Sequence, residues 1–198
     1  MKRPGGASGD RFVILDLEPH FNNDGVSWAR NLVDGGFNVW GISYPAEALP
    51  AAGSVVVWDV PFVFPSKDDG RPNNMAMEGQ RLPVPPGRYR WLNLLGASEN
   101  RCEDLITLVH AGGPEKVFLG LADWWTGGTP YFGERVAFRS ETAHYPSHVQ
   151  ERMPLTLWFQ RLRLDESRAL KAIAWPDNPA MHVFSLTLTR AVAAGRKG

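Results

Sequence analysis

A sustained helical pattern is what this 198-residue sequence lacks most. No stretch keeps apolar residues at three- and four-residue spacing long enough for a helix of several turns. That excludes helical bundles and doubly wound α/β folds. Cysteine is almost absent: Cys102 stands alone, so no intramolecular disulfide framework exists. It lies between Arg101 and Glu103 with no motif around it, as a half-buried thiol does rather than a nucleophile.

Charge excess is missing too. Lys and Arg number 21 and so do Asp and Glu, which leaves no global field to recruit nucleic acid or an anionic membrane. The one basic run, Arg196-Lys197, reads as a solvated tail. No apolar run approaches the roughly 20 residues needed to cross a bilayer. The first ten residues contain no apolar segment of signal-peptide type. These absences predict a soluble, cytoplasmic protein with no nucleic-acid and no membrane partner. Catalytic fingerprints are also lacking: there is no G-x-S-x-G, no P-loop and no dinucleotide motif.

What the chain does contain is punctuation and aromatic rings. Twenty glycines and 16 prolines cut it into short segments, and 8 Trp, 10 Phe and 4 Tyr supply bulk. About ten strands follow from alternation, drawn from twelve candidate segments. They include residues 11–17 (Val13, Leu15 and Leu17 on one face), 37–44, 54–58, 60–64, 75–82, 88–95 and 104–110. The series continues with 116–121 (Val117, Leu119 and Leu121 together), 132–139, 155–164, 169–175 and 181–189. In the last, Val183, Ser185, Thr187 and Thr189 are predicted to oppose His182, Phe184, Leu186 and Leu188. Pro61 places residues 60–64 at a sheet edge or at a bulge. The expected architecture is an all-β antiparallel sandwich of jelly-roll type. Its predicted limits are a disordered segment 1–10, one sandwich over 11–190 and a basic tail at 191–198.

The loops carry an ordered pattern beyond what turns require. Phe21-Asn22-Asn23-Asp24-Gly25 is followed by Gly41-Ile42-Ser43-Tyr44, then Phe62-Val63-Phe64-Pro65 and Gly70-Arg71-Pro72-Asn73-Asn74. Gly79-Gln80, Leu95-Gly96-Ala97, Asp123-Trp124 and Met181-His182-Val183-Phe184 continue the series. This pattern resembles the β-sandwich modules that accompany bacterial, especially actinobacterial, glycoside hydrolases. The resemblance covers roughly residues 20–126 and 154–189. It implies a galactose-binding-like jelly roll that handles carbohydrate, and it implies no catalytic mechanism.

Sugar binding needs flat rings to stack on pyranose C–H faces and polar groups to meet hydroxyls. Residues 116–125 end in Asp123-Trp124-Trp125 and run into a Gly-rich loop before Tyr131. Asp123, Trp124, Trp125 and Tyr131 are therefore the candidate binding rim, with Trp28, Tyr44, Asn22 and Asn23 joining if their loops gather there. Neighbouring strand residues point to opposite faces, so one of Trp124 and Trp125 is expected inward. Asn22, Asn23 and Asp24 are also candidate oxygen ligands for a structural Ca²⁺, set against the simpler role of capping turns. No other cofactor is expected. His144 and His148 have i, i+4 spacing, but Pro146 between them opposes the helix that would make this a metal pair. Glu47, Asp123, Glu134 and Glu141 are carboxylates available for hydrolysis, unpaired by sequence alone.

Three functions follow, in order. The first is a non-catalytic module that binds a carbohydrate or glycoside small molecule. The second is a small cytoplasmic enzyme, a hydrolase, isomerase or cyclase using His and carboxylate groups on the same scaffold. The third is an interaction module whose exposed aromatics mediate contacts, including a homo-oligomer.

Overall fold

The computed structural model describes residues 11–125 and 129–192. The expected disorder at 1–10, most of the basic tail, and Thr126, Gly127 and Gly128 of the rim loop lie outside the described residues. The chain is an antiparallel β-sandwich built from sixteen short strands among the described residues. The excess over ten arises from brief pairings inside loops, not from longer sheets.

The larger sheet runs β1 (Phe12–Leu15), β16 (Asp177–Arg190), β8 (Tyr89–Ser98), β14 (Thr156–Arg163) and β11 (Arg135–Arg139), with β6 (Met75–Glu78) also pairing with β16. The opposing sheet runs β10 (Gly113–Leu121), β9 (Cys102–His110), β15 (Leu170–Ala174) and β7 (Arg81–Gly87). Between them lies a core of aliphatic side chains that includes Leu15, Leu92, Leu94, Leu186 and Leu188 from one sheet. Ile106, Leu108, Leu119, Leu121 and Ile173 meet them from the other. The alternation of Val117, Leu119 and Leu121, and of Val13, Leu15 and Leu17, is therefore realised against this core.

Residues 75–82 do not form one strand. Gly79 adopts φ +77° and ends β6, after which β7 crosses to the opposite sheet. Pro83, Pro85 and Pro86 do not end that strand. They lie within β7, which is tolerated because β7 is an edge and proline's missing N–H leaves no ladder bond unmade there.

The outer face of the larger sheet carries a second, aromatic core. The hairpin of β4 (Gly53–Val57) and β5 (Val60–Phe64) covers it, together with the parallel pair β2 (Val26–Ser27) and β3 (Tyr44–Pro45). Phe37, Tyr44, Phe62, Phe64, Trp124, Trp158 and Phe184 pack here. Phe184 reaches this side because of a bulge. The register of β16 on β8 slips between Val183 and Ser185, so Val183 joins Leu186 and Leu188 inside while Phe184 turns outward. The simple alternation expected for 181–189 fails at that extra residue.

Residues 37–44 are mostly a loop rather than a strand. The Asn38 side-chain oxygen accepts from the N–H groups of Trp40 (3.2 Å) and Ile42 (3.1 Å), closing a turn that competes with sheet pairing. Residues 140–153 contain a small hairpin, β12 (Ala143–Tyr145) and β13 (His148–Gln150).

Candidate functional site

Tight spacing of asparagines dictates the first feature. Asn22 and Asn23 occupy one loop, and Asn73 and Asn74 occupy another that runs beside it. The side-chain oxygen of Asn22 accepts from Ala76 N–H (2.8 Å), and its amide donates to Glu78 (2.9 Å). The amide of Asn74 donates to Asn23 Oδ1 (3.0 Å) and to Asn73 Oδ1 (3.0 Å), while Asn73 Oδ1 also accepts from Gly25 N–H (3.0 Å). The Asn73 amide donates to Asp24, and the His182 Nδ1–H donates to Asn74 Oδ1 (2.8 Å). Gly25 is required by closeness: a Cβ there would lie 2.7 Å from the Asn74 amide nitrogen. The residue pattern that carried the family likeness is thus a staple joining two loops to β16. The oxygens of Asn22, Asn23 and Asp24 face backbone N–H and amide donors, which is the turn-capping arrangement. Burial raises the Asp24 carboxyl to about 6, and burial lowers His182 to about 4.

The expected rim divides. Trp124 and Tyr44 are each 1 % exposed, with ring centroids 5.1 Å apart, so neither offers a face to a sugar. The Tyr44 hydroxyl donates to Thr156 O at 2.8 Å, and Phe37 packs 4.3 Å from Trp124. Burial overrides their place near loops because residues 37 and 184, distant in sequence, close over them. Trp125 is half-buried, edge-on to Trp124. Tyr131 is 62 % exposed, with the Arg101 guanidinium 3.9 Å from its ring centroid. Trp28 lies elsewhere, its indole N–H donating to Lys67 O (2.8 Å) and its ring flanked by the Arg30 and Lys67 cations.

Three of the four candidate carboxylates accept hydrogen bonds from backbone N–H groups. Asp123 Oδ1 accepts from Trp125 N–H (3.0 Å), and burial raises its pKa. Glu47 accepts from Ala29 N–H (3.0 Å), and Glu134, itself buried, from Tyr131 and Phe132 N–H (3.0 and 2.7 Å). His144 and His148 sit on opposite strands of the small hairpin. His144 is buried with Nδ1 3.0 Å from Ser27 Oγ, and burial lowers its pKa; His148 is exposed. Among the described residues no group of three His, Cys, Asp or Glu side chains is placed to hold a metal ion.

A cleft that sequence reasoning missed lies between β1 and β5, where the hairpin leaves the larger sheet. It has a volume of about 380 Å³. Phe64 and Phe184 form its floor, Ile14 and Val63 its walls, and Phe21 one lip. Asp16, Glu18, Ser66, Ser185 and Arg71 supply polar atoms around it. Ile14 and Val63 are 38 % and 48 % exposed. The hint in the sequence was apolar residues on both faces of residues 12–15 and 60–64, which leaves Ile14 and Val63 outside the buried core.

Two sheets closed on an aliphatic core, with aromatic hairpins on one outer face, define a β-sandwich domain. The chain belongs to the family of AziU2-like beta-sandwich domains, whose description matches residues 11–192. That match accounts for the sandwich and carries no link to glycoside hydrolases. No curated protein matches the chain. No described helix is long and apolar enough to cross a membrane.

Proposed function

We propose that this domain is a non-catalytic binding module for a carbohydrate or glycoside small molecule, and that the ligand sits in the cleft between β1 and β5. The supporting observation is the cleft itself: about 380 Å³, an aromatic floor and a polar lip carrying both charge signs. Ligand pockets have this make-up, an apolar body with a few placed polar groups that set orientation. The partly exposed Phe21, with Ile14 and Val63, receives the apolar face of a sugar or aglycone above the buried rings of Phe64 and Phe184. Asp16, Glu18 and Arg71 meet its hydroxyls at the rim. The reading is non-catalytic because the two acids lie two residues apart on one lip, not opposed across the cleft as glycoside hydrolysis requires.

Titration calorimetry with a series of aryl and alkyl glycosides tests it. Saturable binding is expected, lost in Val63→Asp, which places a charge in the apolar wall, and retained in Trp125→Ala. Absence of saturable binding across the series at millimolar ligand refutes the reading, as does binding that survives Val63→Asp.

A further inference from the structure

A second cleft, of about 200 Å³, opens where the tip of the β4–β5 hairpin overhangs the larger sheet at the opposite end of β5. Register places its lining on one face. Phe12 pairs with Thr189, Thr189 with Trp91, and Trp91 with Arg163, two residues from Arg161. Arg135 pairs with Phe159, again two residues from Arg161. Side chains two apart on a strand share a face, so Trp91, Arg161 and Arg135 project together.

Three arginines line the cleft, Arg11, Arg135 and Arg161, and the charges of the first two act on the third. Among the described residues none of them forms an ion pair, and Asp59 is the one acid lining the cleft. Arg163 makes the contrast: it stacks on the same Trp91 but is paired with Glu166. Burial first, then repulsion from Arg135 and Arg11, lowers the pKa of Arg161. Aromatic rings brace the cations instead of acids. Arg135 lies 5.0 Å from the Trp58 centroid, Arg161 lies 5.3 Å from Trp91, and Arg11 lies 5.0 Å from Phe12. Such contacts use the flat face of a guanidinium and leave its N–H edge available. One donor is already engaged, Arg161 Nε to Asn93 Oδ1 at 2.9 Å.

The hairpin tip adds an independent sign. Trp58 and Asp59 form a two-residue turn with φ of 49° and 62°. That turn favours Asn-Gly, and a tryptophan in the left-handed region is a strained choice. Strain of this kind persists where a side chain is needed at a site. Trp58 remains 49 % exposed over the cleft, held by its indole N–H donating to Val136 O at 3.0 Å.

We propose that this cleft binds a small phosphate monoester, with the dianion among Arg11, Arg135 and Arg161 and its organic body against the exposed face of Trp58. Three cations and one acid leave a net charge of +2, which a monoester of about −2 neutralises and a carboxylate does not. The site is separate from the glycoside cleft and stands whether or not that reading holds.

Tryptophan fluorescence and calorimetry with phenyl phosphate, inorganic phosphate, benzoate and a short DNA duplex test it on the whole chain. Phenyl phosphate is expected to bind most tightly, inorganic phosphate more weakly and benzoate weakest. Arg135→Gln and Arg161→Gln each weaken phenyl phosphate binding by about tenfold or more. Trp58→Gly weakens it while leaving the melting temperature unchanged or higher, because glycine relieves the turn. Circular dichroism verifies that the arginine variants fold, and Arg161→Lys retains part of the affinity. No saturable phenyl phosphate binding at millimolar ligand overturns the proposal, as does unchanged affinity in the folded Arg135→Gln, Arg161→Gln double variant. Benzoate or inorganic phosphate binding as tightly as phenyl phosphate, or DNA binding more tightly, overturns the ligand assignment.

Discussion

Replacing His182 by glutamine probes how the asparagine staple is fastened to the sheet, and the size of its effect depends on pH. The imidazole is 3 % exposed, lies 4.1 Å from the Phe37 ring centroid and donates from Nδ1 to Asn74 Oδ1. Asn74 directs its amide nitrogen to Asn23 and Asn73, so its oxygen faces the histidine and the neutral ring with Nδ1–H completes the pair. Burial lowers the histidine from 6.5 to about 4. The folded pKa therefore lies below the unfolded one. The stabilisation is complete above pH 6.5, declines as pH falls from there through about 4, and is gone below. At about 1.4 kcal/mol per pH unit, that gap corresponds to about 3 kcal/mol.

Asp24, in the same network, works in the opposite direction. Its folded pKa is raised to about 6, so it favours the fold below 3.8, and that contribution is lost as pH rises through about 6. A wild-type pH profile alone mixes the two. The difference between wild type and His182→Gln separates them, because the carboxyl is common to both. Urea denaturation followed by circular dichroism is the assay. The variant is expected to be less stable than wild type near neutral pH, and the deficit to shrink by up to about 3 kcal/mol toward pH 4. A deficit that stays constant across that range refutes the assignment of a buried neutral imidazole.

Two further substitutions test the packing. Trp124→Ala empties the centre of the aromatic core and is expected to cost about 3–5 kcal/mol, with Trp125→Ala costing clearly less, both read by equilibrium denaturation; equal losses contradict the inward and outward assignment. Gly96→Ala places a Cβ 2.5 Å from His182 O, backbone against backbone where β8 meets the bulge of β16, and is expected to destabilise by about 1–3 kcal/mol or more in a thermal melt. An unchanged melting temperature contradicts that close approach.

Much of the sandwich was legible in local pattern. Val117, Leu119 and Leu121 alternate into the core as written, and Ala111-Gly112 turns β9 into β10. What escaped was wherever a long-range partner changed the local rule. The bulge at Phe184 moved one aromatic to the other face, and the Asn38 carboxamide closed a turn inside an apparent strand. The candidate site was less legible still. The Asn22-Asn23 and Asn73-Asn74 pairs were visible as a pattern, but their meeting across 51 residues was not. The three arginines and Trp58 of the second cleft come from four separate segments, and no spacing in sequence links residues 11, 58, 135 and 161.

By itself the sequence determined the all-β class, because glycine and proline cut most of the chain into short segments and alternation, not three- and four-residue spacing, leaves each strand one apolar face. It also determined that no disulfide and no net charge would hold the chain together or steer it. Only the tertiary structure decided which rings are surface and which are core. At Asp123-Trp124-Trp125 the adjacent rings have nearly identical local surroundings, yet Phe37 and Tyr44 cover the first and leave the second half-exposed. Exposure depends on what packs over a side chain, and here the covering residues lie some 80 positions away in the chain.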